Sequence, residues 1–190
     1  MTQIKPRFAS FEEYLSFDDG TDRCYELLNG ELVELPPESG ENLGILAFVF
    51  LQLAPIVSHL RVRWGLELEV RGEPKNRYPD LTVIREEHIE QLKRRNTIRI
   101  SMAPPILVIE AVSPGGENRE RDYTDKRSQY QDRGIPEYWL IDPSQQIITV
   151  LQLEGNVYKE VGVLKRNDLI RSSEFPILML TAEQVLRSGQ

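Results

Sequence analysis

The sequence has a single cysteine, Cys24, in 190 residues. An internal disulfide is therefore excluded, and a chain of this length can bury a core without one. Histidine is nearly as scarce. His59 and His88 stand at no ligand spacing from each other or from Cys24, so no zinc site is suggested. A glycine-rich phosphate loop is missing too, because Ser113-Pro-Gly-Gly lacks the lysine and the spacing such a loop needs. No internal repeat, low-complexity tract or Gly/Ser linker divides the chain. Long hydrophobic runs are also absent. Asn42–Leu60 is uncharged, but it holds Asn42, Gln52, Pro55, Ser58 and His59. Its apolar run Leu43–Leu51 falls well short of the ~20 residues that span a bilayer. It reads as a buried core helix. The opening MTQIKPRFASFEEYL carries no apolar stretch of signal-peptide length. Taken together, these absences give the expectation of a cytoplasmic protein without a membrane partner.

What remains is a composition of 40% hydrophobic and 28% charged residues, expected of one globular domain over residues 1–190. There are 23 bases against 30 acids, a net charge of −7 and a pI near 5.0. On average that argues against a nucleic-acid partner. The average hides a gradient. Residues 1–60 hold 3 bases and 10 acids (−7), residues 61–127 hold 14 and 12 (+2), and residues 128–190 hold 6 and 8 (−2). Lys93, Arg94, Arg95 and Arg99 cluster in the middle segment and, with Arg127 and Tyr130, form a candidate nucleic-acid-binding set. The plainer reading of that cluster is a solvated loop. If it does bind, binding is expected to be weak, strongly salt-dependent and confined to one face.

Patterning predicts the element order. Ser10 with Glu13 three residues on is a capping box. Asn29-Gly30 between Tyr25–Leu28 and Glu31–Leu35 is a hairpin signal, stopped by Pro36-Pro37. A long helix follows Ser39 and ends near Pro55. Val62–Val70, Tyr78–Ile84 and the nearly continuous apolar run Ile106–Val112 read as strands, the last covered on both faces. Glu120–Asp132 reads as a helix closed at Arg133-Gly134, and Glu137–Asp142 as a central strand. A hairpin over Ile147–Val163 and a short terminal helix, Ala182–Leu186, complete the chain. Helix, three strands, helix, strand predicts an α/β fold around a mixed sheet. Trp64, Trp139 and Tyr138 read as packing groups rather than base-stacking ones, and Cys24 as a small core residue.

Two carboxylates stand out by position. Glu110 interrupts an apolar strand, where an unpaired charge is costly. Asp80 heads another strand, directly after Pro79. If these strands are neighbours, their oxygens converge at one end of the sheet, and a few oxygen ligands plus waters are what Mg²⁺ prefers. Each alone has a bland reading, Asp80 as a turn cap and Glu110 as an arginine partner. Lys126 is the third candidate, placed to steady an attacking hydroxide or, more plainly, to pair with Asp122 at i,i+4 on a solvated face. Glu26, alternating with apolar neighbours, is either an outward strand residue or a further acidic ligand.

The set Tyr25-Glu26-Leu-Leu-Asn-Gly, Tyr78-Pro-Asp80, Ile109-Glu110-Ala-Val-Ser-Pro, Asp122…Lys126…Tyr130 and Gly134-Ile-Pro-Glu-Tyr-Trp-Leu-Ile-Asp-Pro resembles the PD-(D/E)XK nuclease superfamily. Within it, the set resembles the Uma-type restriction endonucleases of bacteria, over about Phe11 to Leu180. The resemblance implies a restriction-endonuclease-like core with extra β-hairpins. It also implies Asp80, Glu110 and the Ala111 carbonyl as ligands of Mg²⁺ or Mn²⁺, Glu26 as an additional acid, DNA as substrate, and a homodimer. Two departures stand out. The superfamily's lysine two places after the glutamate is Val112 here, and the resemblance implies that its role has moved to Lys126. Where many relatives carry a histidine near the start of the long helix, this chain has Asn42. The leading reading is a Mg²⁺-dependent endonuclease. The alternatives are a catalytically weak nuclease-fold module for DNA binding or assembly, and a purely structural domain.

Overall fold

The computed structural model describes residues 6–21 and 23–190. Helix α1 (Phe11–Leu15) starts where the Ser10 hydroxyl accepts from the Glu13 amide at 3.1 Å. Strands β1 (Tyr25–Leu28) and β2 (Glu31–Glu34) form an antiparallel hairpin. Its turn is Asn29 at φ 51° and Gly30 at φ 81°, both left-handed, as a two-residue hairpin turn requires. Helix α2 (Gly40–Val57), capped by Ser39, runs past Pro55 to a left-handed Ser58, two residues beyond the predicted end. It is long and apolar enough to cross a membrane by length and composition. In this fold Ile45, Leu46, Val49 and Leu53 form its inward stripe.

The predicted strand Val62–Val70 is two strands in different sheets, β3 (Val62–Arg63) and β4 (Glu67–Glu69), because the chain breaks at Trp64-Gly65 with Gly65 at φ 60°. Next come β5 (Asn76–Arg77), β6 (Leu81–Val83), α3 (Glu86–Gln91), β7 (Thr97–Ile98) and β8 (Leu107–Ala111). Gly116–Arg133 is one continuous helix. It comprises α4 (Gly116–Glu120), a π-helical stretch (Arg121–Lys126) and α5 (Arg127–Arg133), closed by left-handed Gly134. Strands β9 (Glu137–Asp142), β10 (Ile147–Glu154) and β11 (Val157–Leu164), then α6 (Ala182–Leu186) and a final 3₁₀ turn, finish the chain. The apolar run Phe175–Leu180 forms no strand; Phe175, Leu178 and Leu180 pack into the core directly.

The main sheet is six-stranded, ordered β11-β10-β9-β8-β6-β3. Only β8 and β9 are parallel in it, joined by the long helix as a crossover, and the other neighbours are antiparallel. The expected mixed α/β arrangement of helix, three strands, helix, strand is the one observed. Strand β8 shows how the sheet divides the molecule. Leu107, Ile109 and Ala111 pack with α2 and α6 on one face. Val108 and Val112 pack with Tyr130 and β4 on the other. The two-residue period therefore turns Glu110 toward the face that carries the crossover helix.

Candidate active site

Leu81 lies opposite Ile109 in the β6–β8 ladder, so the preceding residue of one strand stands beside the following residue of the other. Asp80 is thereby brought to Glu110 at the sheet's end. One oxygen of Asp80, Oδ2, accepts the Ala111 amide at 2.7 Å. Glu110, only 1% exposed, is gripped at both oxygens. Lys126 Nζ donates to Oε2 at 2.7 Å and the Tyr130 hydroxyl donates to Oε1 at 2.6 Å. Lys126 also meets Asp122 at 3.0 Å, and Arg121 Nε meets the same Asp122 oxygen at 3.2 Å. The lysine pair expected on a solvated face is therefore buried. The π-helical turn carries both of its members, a local widening often found at functional sites.

The titration of these groups follows from crowding and charge. Burial, and then the neighbouring Glu110, holds the Asp80 carboxyl well above its usual range. Burial likewise raises Glu110, against the opposing pull of Lys126 and Tyr130. For Lys126, burial alone would favour the neutral amine. Glu110, Asp122 and Asp80 outweigh it and raise the ammonium's pKa, so it stays charged. Burial and then Glu110 raise the Tyr130 phenol, which remains a neutral donor.

Asp80 and Lys126 line a cavity of about 130 Å³, together with Glu26, Glu38, Tyr78 and Arg121. Among the described residues, no group of three or more His, Cys, Asp or Glu side chains is arranged to hold a metal ion. The smaller set of oxygen groups at this end of the sheet is Asp80 and Glu110, side by side across the β6–β8 ladder, with the Ala111 carbonyl accepting from Asn42. Asp80, Glu110 and Asp122 set three carboxyl groups beside the two cations Lys126 and Arg121. Hard oxygen donors crowded enough to raise one another's pKa fit a divalent cation that keeps several of its waters.

The remaining sequence candidates divide. Glu26 reaches the cavity wall, but Arg77 Nη1 holds its Oε2 at 3.0 Å and Gln129 in turn holds Arg77 at 2.6 Å. It is tied to an arginine rather than gathered with the other acids. Tyr130, a candidate for nucleic-acid contact, is fully buried and cannot touch a ligand at the surface. Arg95 is bound to Glu67, and Arg99 to Glu69 and Glu12. The basic cluster is thus largely neutralised. Lys93, paired with Glu90, and Arg94 remain on the surface, and Arg127 is half-buried with Nη2 near the Tyr158 carbonyl. Val112 is buried among apolar side chains, which explains why a lysine cannot occupy that place without repacking.

Two further groups join the site. Asn42, 3% exposed in the first turn of α2, donates from Nδ2 to the Ala111 carbonyl at 3.2 Å and to Glu38 at 2.8 Å. Arg77 is the other. The sequence marked Asn42 as the place where relatives carry a histidine and as a polar side chain opening an apolar helix, and it carried no signal for Arg77.

A family model named Uma2, with the description "Putative restriction endonuclease", matches residues 11–183. The fold is similar to a crystal structure from Anabaena variabilis described as a "putative nuclease belonging to DUF820". The TM-score is 0.72 at 19% identity, covering 94% of this chain and 98% of the other. At that identity the likeness is one of fold. No curated protein matches the sequence.

Proposed function

The chain belongs to the Uma2 family of restriction-endonuclease-like proteins, and from that premise we propose that it hydrolyses phosphodiester bonds in DNA with the help of Mg²⁺ or Mn²⁺. The observation that carries this reading is the Asp80–Glu110–Lys126 constellation, whose Asp80 and Lys126 line one small cavity with Glu110 buried behind them. Asp80, Glu110 and the Ala111 carbonyl would hold the ion. When bound, such an ion supplies charge that polarises a phosphoryl oxygen and makes a water more acidic.

The chain's own groups do the positioning. An ammonium held as firmly charged as Lys126 does not act as a base. It orients the attacking water and offsets charge developing on the phosphate. Tyr130 and Lys126 fix the Glu110 carboxylate from two sides, and the Ala111 amide fixes Asp80. Asn42 steadies the Ala111 carbonyl from α2. Glu26, locked to Arg77, supports the cavity wall.

Cleavage of plasmid and oligonucleotide DNA in Mg²⁺ or Mn²⁺ tests the proposal. Asp80→Ala and Lys126→Ala should each lose roughly 100-fold or more, the scale of removing one electrostatic group from a catalytic site. Identical background nicking by wild type and both variants would sink it. A second reading is favoured by Val112 and Asn42, which depart from the pattern of nuclease relatives. A non-cleaving module would bind DNA without metal-dependent hydrolysis, and its binding would survive Asp80→Ala.

A further inference from the structure

Next to the acidic cavity lies a larger hollow of about 430 Å³, whose walls include Arg23, Leu43, Leu46 and Trp64. Pro36, Pro37, Glu38, Tyr78 and Asp80 line both spaces, so they form one cleft with the Asp80 carboxylate at the junction. The two halves suit different guests. At about 30 Å³ per water, the 130 Å³ half has room for a hydrated ion and phosphate oxygens, but not for a ring system as well. The larger half falls within the ~300–1,000 Å³ typical of pockets for organic ligands.

Its lining is mostly apolar, with Arg23, Glu34, Glu38 and Asp80 as the charged members. Trp64 is 48% exposed and Leu43 53% exposed. The Trp64 ring is held in place by stacking on Phe50, with centroids 5.0 Å apart and planes 25° apart. Arg23 is anchored through Nη1 to Glu34 at 3.0 Å. A guanidinium has five N–H donors, so others remain for the acceptor edge of a purine.

Charge sharpens the choice of guest. The chain carries −7 overall, and Arg95 and Arg99 of the basic cluster are spent on internal carboxylates. Phosphate attraction alone is therefore a poor source of affinity for nucleic acid. Stacking of a base on an aromatic ring is insensitive to net charge and tolerant of sequence.

We propose that the Trp64 hollow receives an unstacked nucleobase from the strand whose phosphate lies at Asp80 and Glu110. This rests on the nuclease reading and names its substrate class: strands with an unpaired or flippable base beside the scissile bond. An intact stacked duplex is excluded from the hollow until one base leaves the helix.

The test uses the full chain in EDTA with fluorescein-labelled single-stranded DNA, the same strand made abasic, and the matching blunt duplex, read by anisotropy. The intact single strand should bind tightest, with a shallow dependence on salt. Trp64→Ala should weaken it about tenfold, the effect of losing one stacked base, and Trp64→Phe should recover most of that loss. Equal binding by Trp64→Ala and wild type, equal binding of abasic and intact strands, or no binding of the single strand would overturn the assignment. In Mg²⁺, Trp64→Ala should raise KM with kcat unchanged, whereas Asp80→Ala should abolish cleavage yet keep EDTA binding. If Asp80→Ala cleaves like wild type while Trp64→Ala still loses the single strand, the nuclease reading fails and the base site stands. If Asp80→Ala is dead and Trp64→Ala is indistinguishable from wild type, the base site alone fails.

Discussion

Lys126 shows how far one residue's meaning depends on burial. At i+4 from Asp122 it has the spacing of a surface pair worth a few tenths of a kcal/mol. At 7% side-chain exposure, between two carboxylates, it is their main counter-charge. Lys126→Met should therefore cost ~3–5 kcal/mol at neutral pH, because it takes the ammonium from two buried carboxylates and leaves Glu110 only Tyr130 and Asp122 only Arg121. Urea denaturation would measure it, and a loss under 1 kcal/mol would mean that the pair is solvated. Tyr130→Phe removes one donor from a buried carboxylate and should cost ~1–3 kcal/mol. Because the ring is buried, nucleic-acid affinity in EDTA should not change.

The same site gives a pH dependence with a definite sign. Asp80 and Glu110 both have carboxyl groups raised in the folded state. The fold therefore binds more protons than the unfolded chain. Their favourable contribution is complete below the ordinary carboxyl range near pH 4 and is lost as pH rises through the raised values. Without divalent metal, the thermal midpoint should fall between pH 5.5 and pH 8, and Asp80→Asn should flatten that fall. His88, whose pKa burial lowers, acts in the opposite sense, so the informative quantity is the difference between wild type and variant. Mg²⁺ at pH 8 should raise the midpoint of wild type more than that of Asp80→Asn.

At the scale of elements, the strongest local signals survived and the weaker ones shifted. The Asn29-Gly30 hairpin was legible because two left-handed residues in succession are chemically rare. Gly30 also packs closely, since a Cβ there would meet the Phe8 carbonyl oxygen at 2.7 Å with φ at +81°. Gly30→Ala should thus cost ~1–3 kcal/mol, read as a lower denaturation midpoint. The apparent strand Val62–Val70 misled because Val62, Trp64, Leu66, Leu68 and Val70 keep a two-residue apolar period straight through the break. Only the turn at Gly65 sends β3 and β4 into separate sheets. Pro55 did not end α2, since a proline in the last turn forfeits a single amide bond. The Glu137 carboxylate, fully buried at the head of β9, gave no sequence signal of its role. It accepts from the Trp139 indole at 2.5 Å and from the Ser173 amide at 3.0 Å, pinning a loop 36 residues away.

At the scale of the whole molecule, the opening charge balance takes on a different meaning. Local counting turned the acidic average into a basic middle segment, but long-range ion pairs turned it back. Arg99 reaches Glu12 across 87 positions and Arg95 reaches Glu67 across 28. Arg99→Ala should accordingly leave the slope of log affinity against log salt unchanged while lowering stability. A slope reduced by about one would instead mark a phosphate contact.

The sequence by itself determined the order of elements, the family, and the two acids placed where an apolar strand has no use for them. These are one-dimensional facts, carried by periodicity, turn chemistry and ordered motifs. The tertiary structure decided which charges meet. It set Asp80 beside Glu110 through the β6–β8 register, closed Tyr130 and Lys126 over Glu110, gave Glu26 to Arg77, and left Trp64 at the mouth of the same cleft. Pairing of this kind depends on distance and burial between residues far apart in the chain, and no local pattern encodes either.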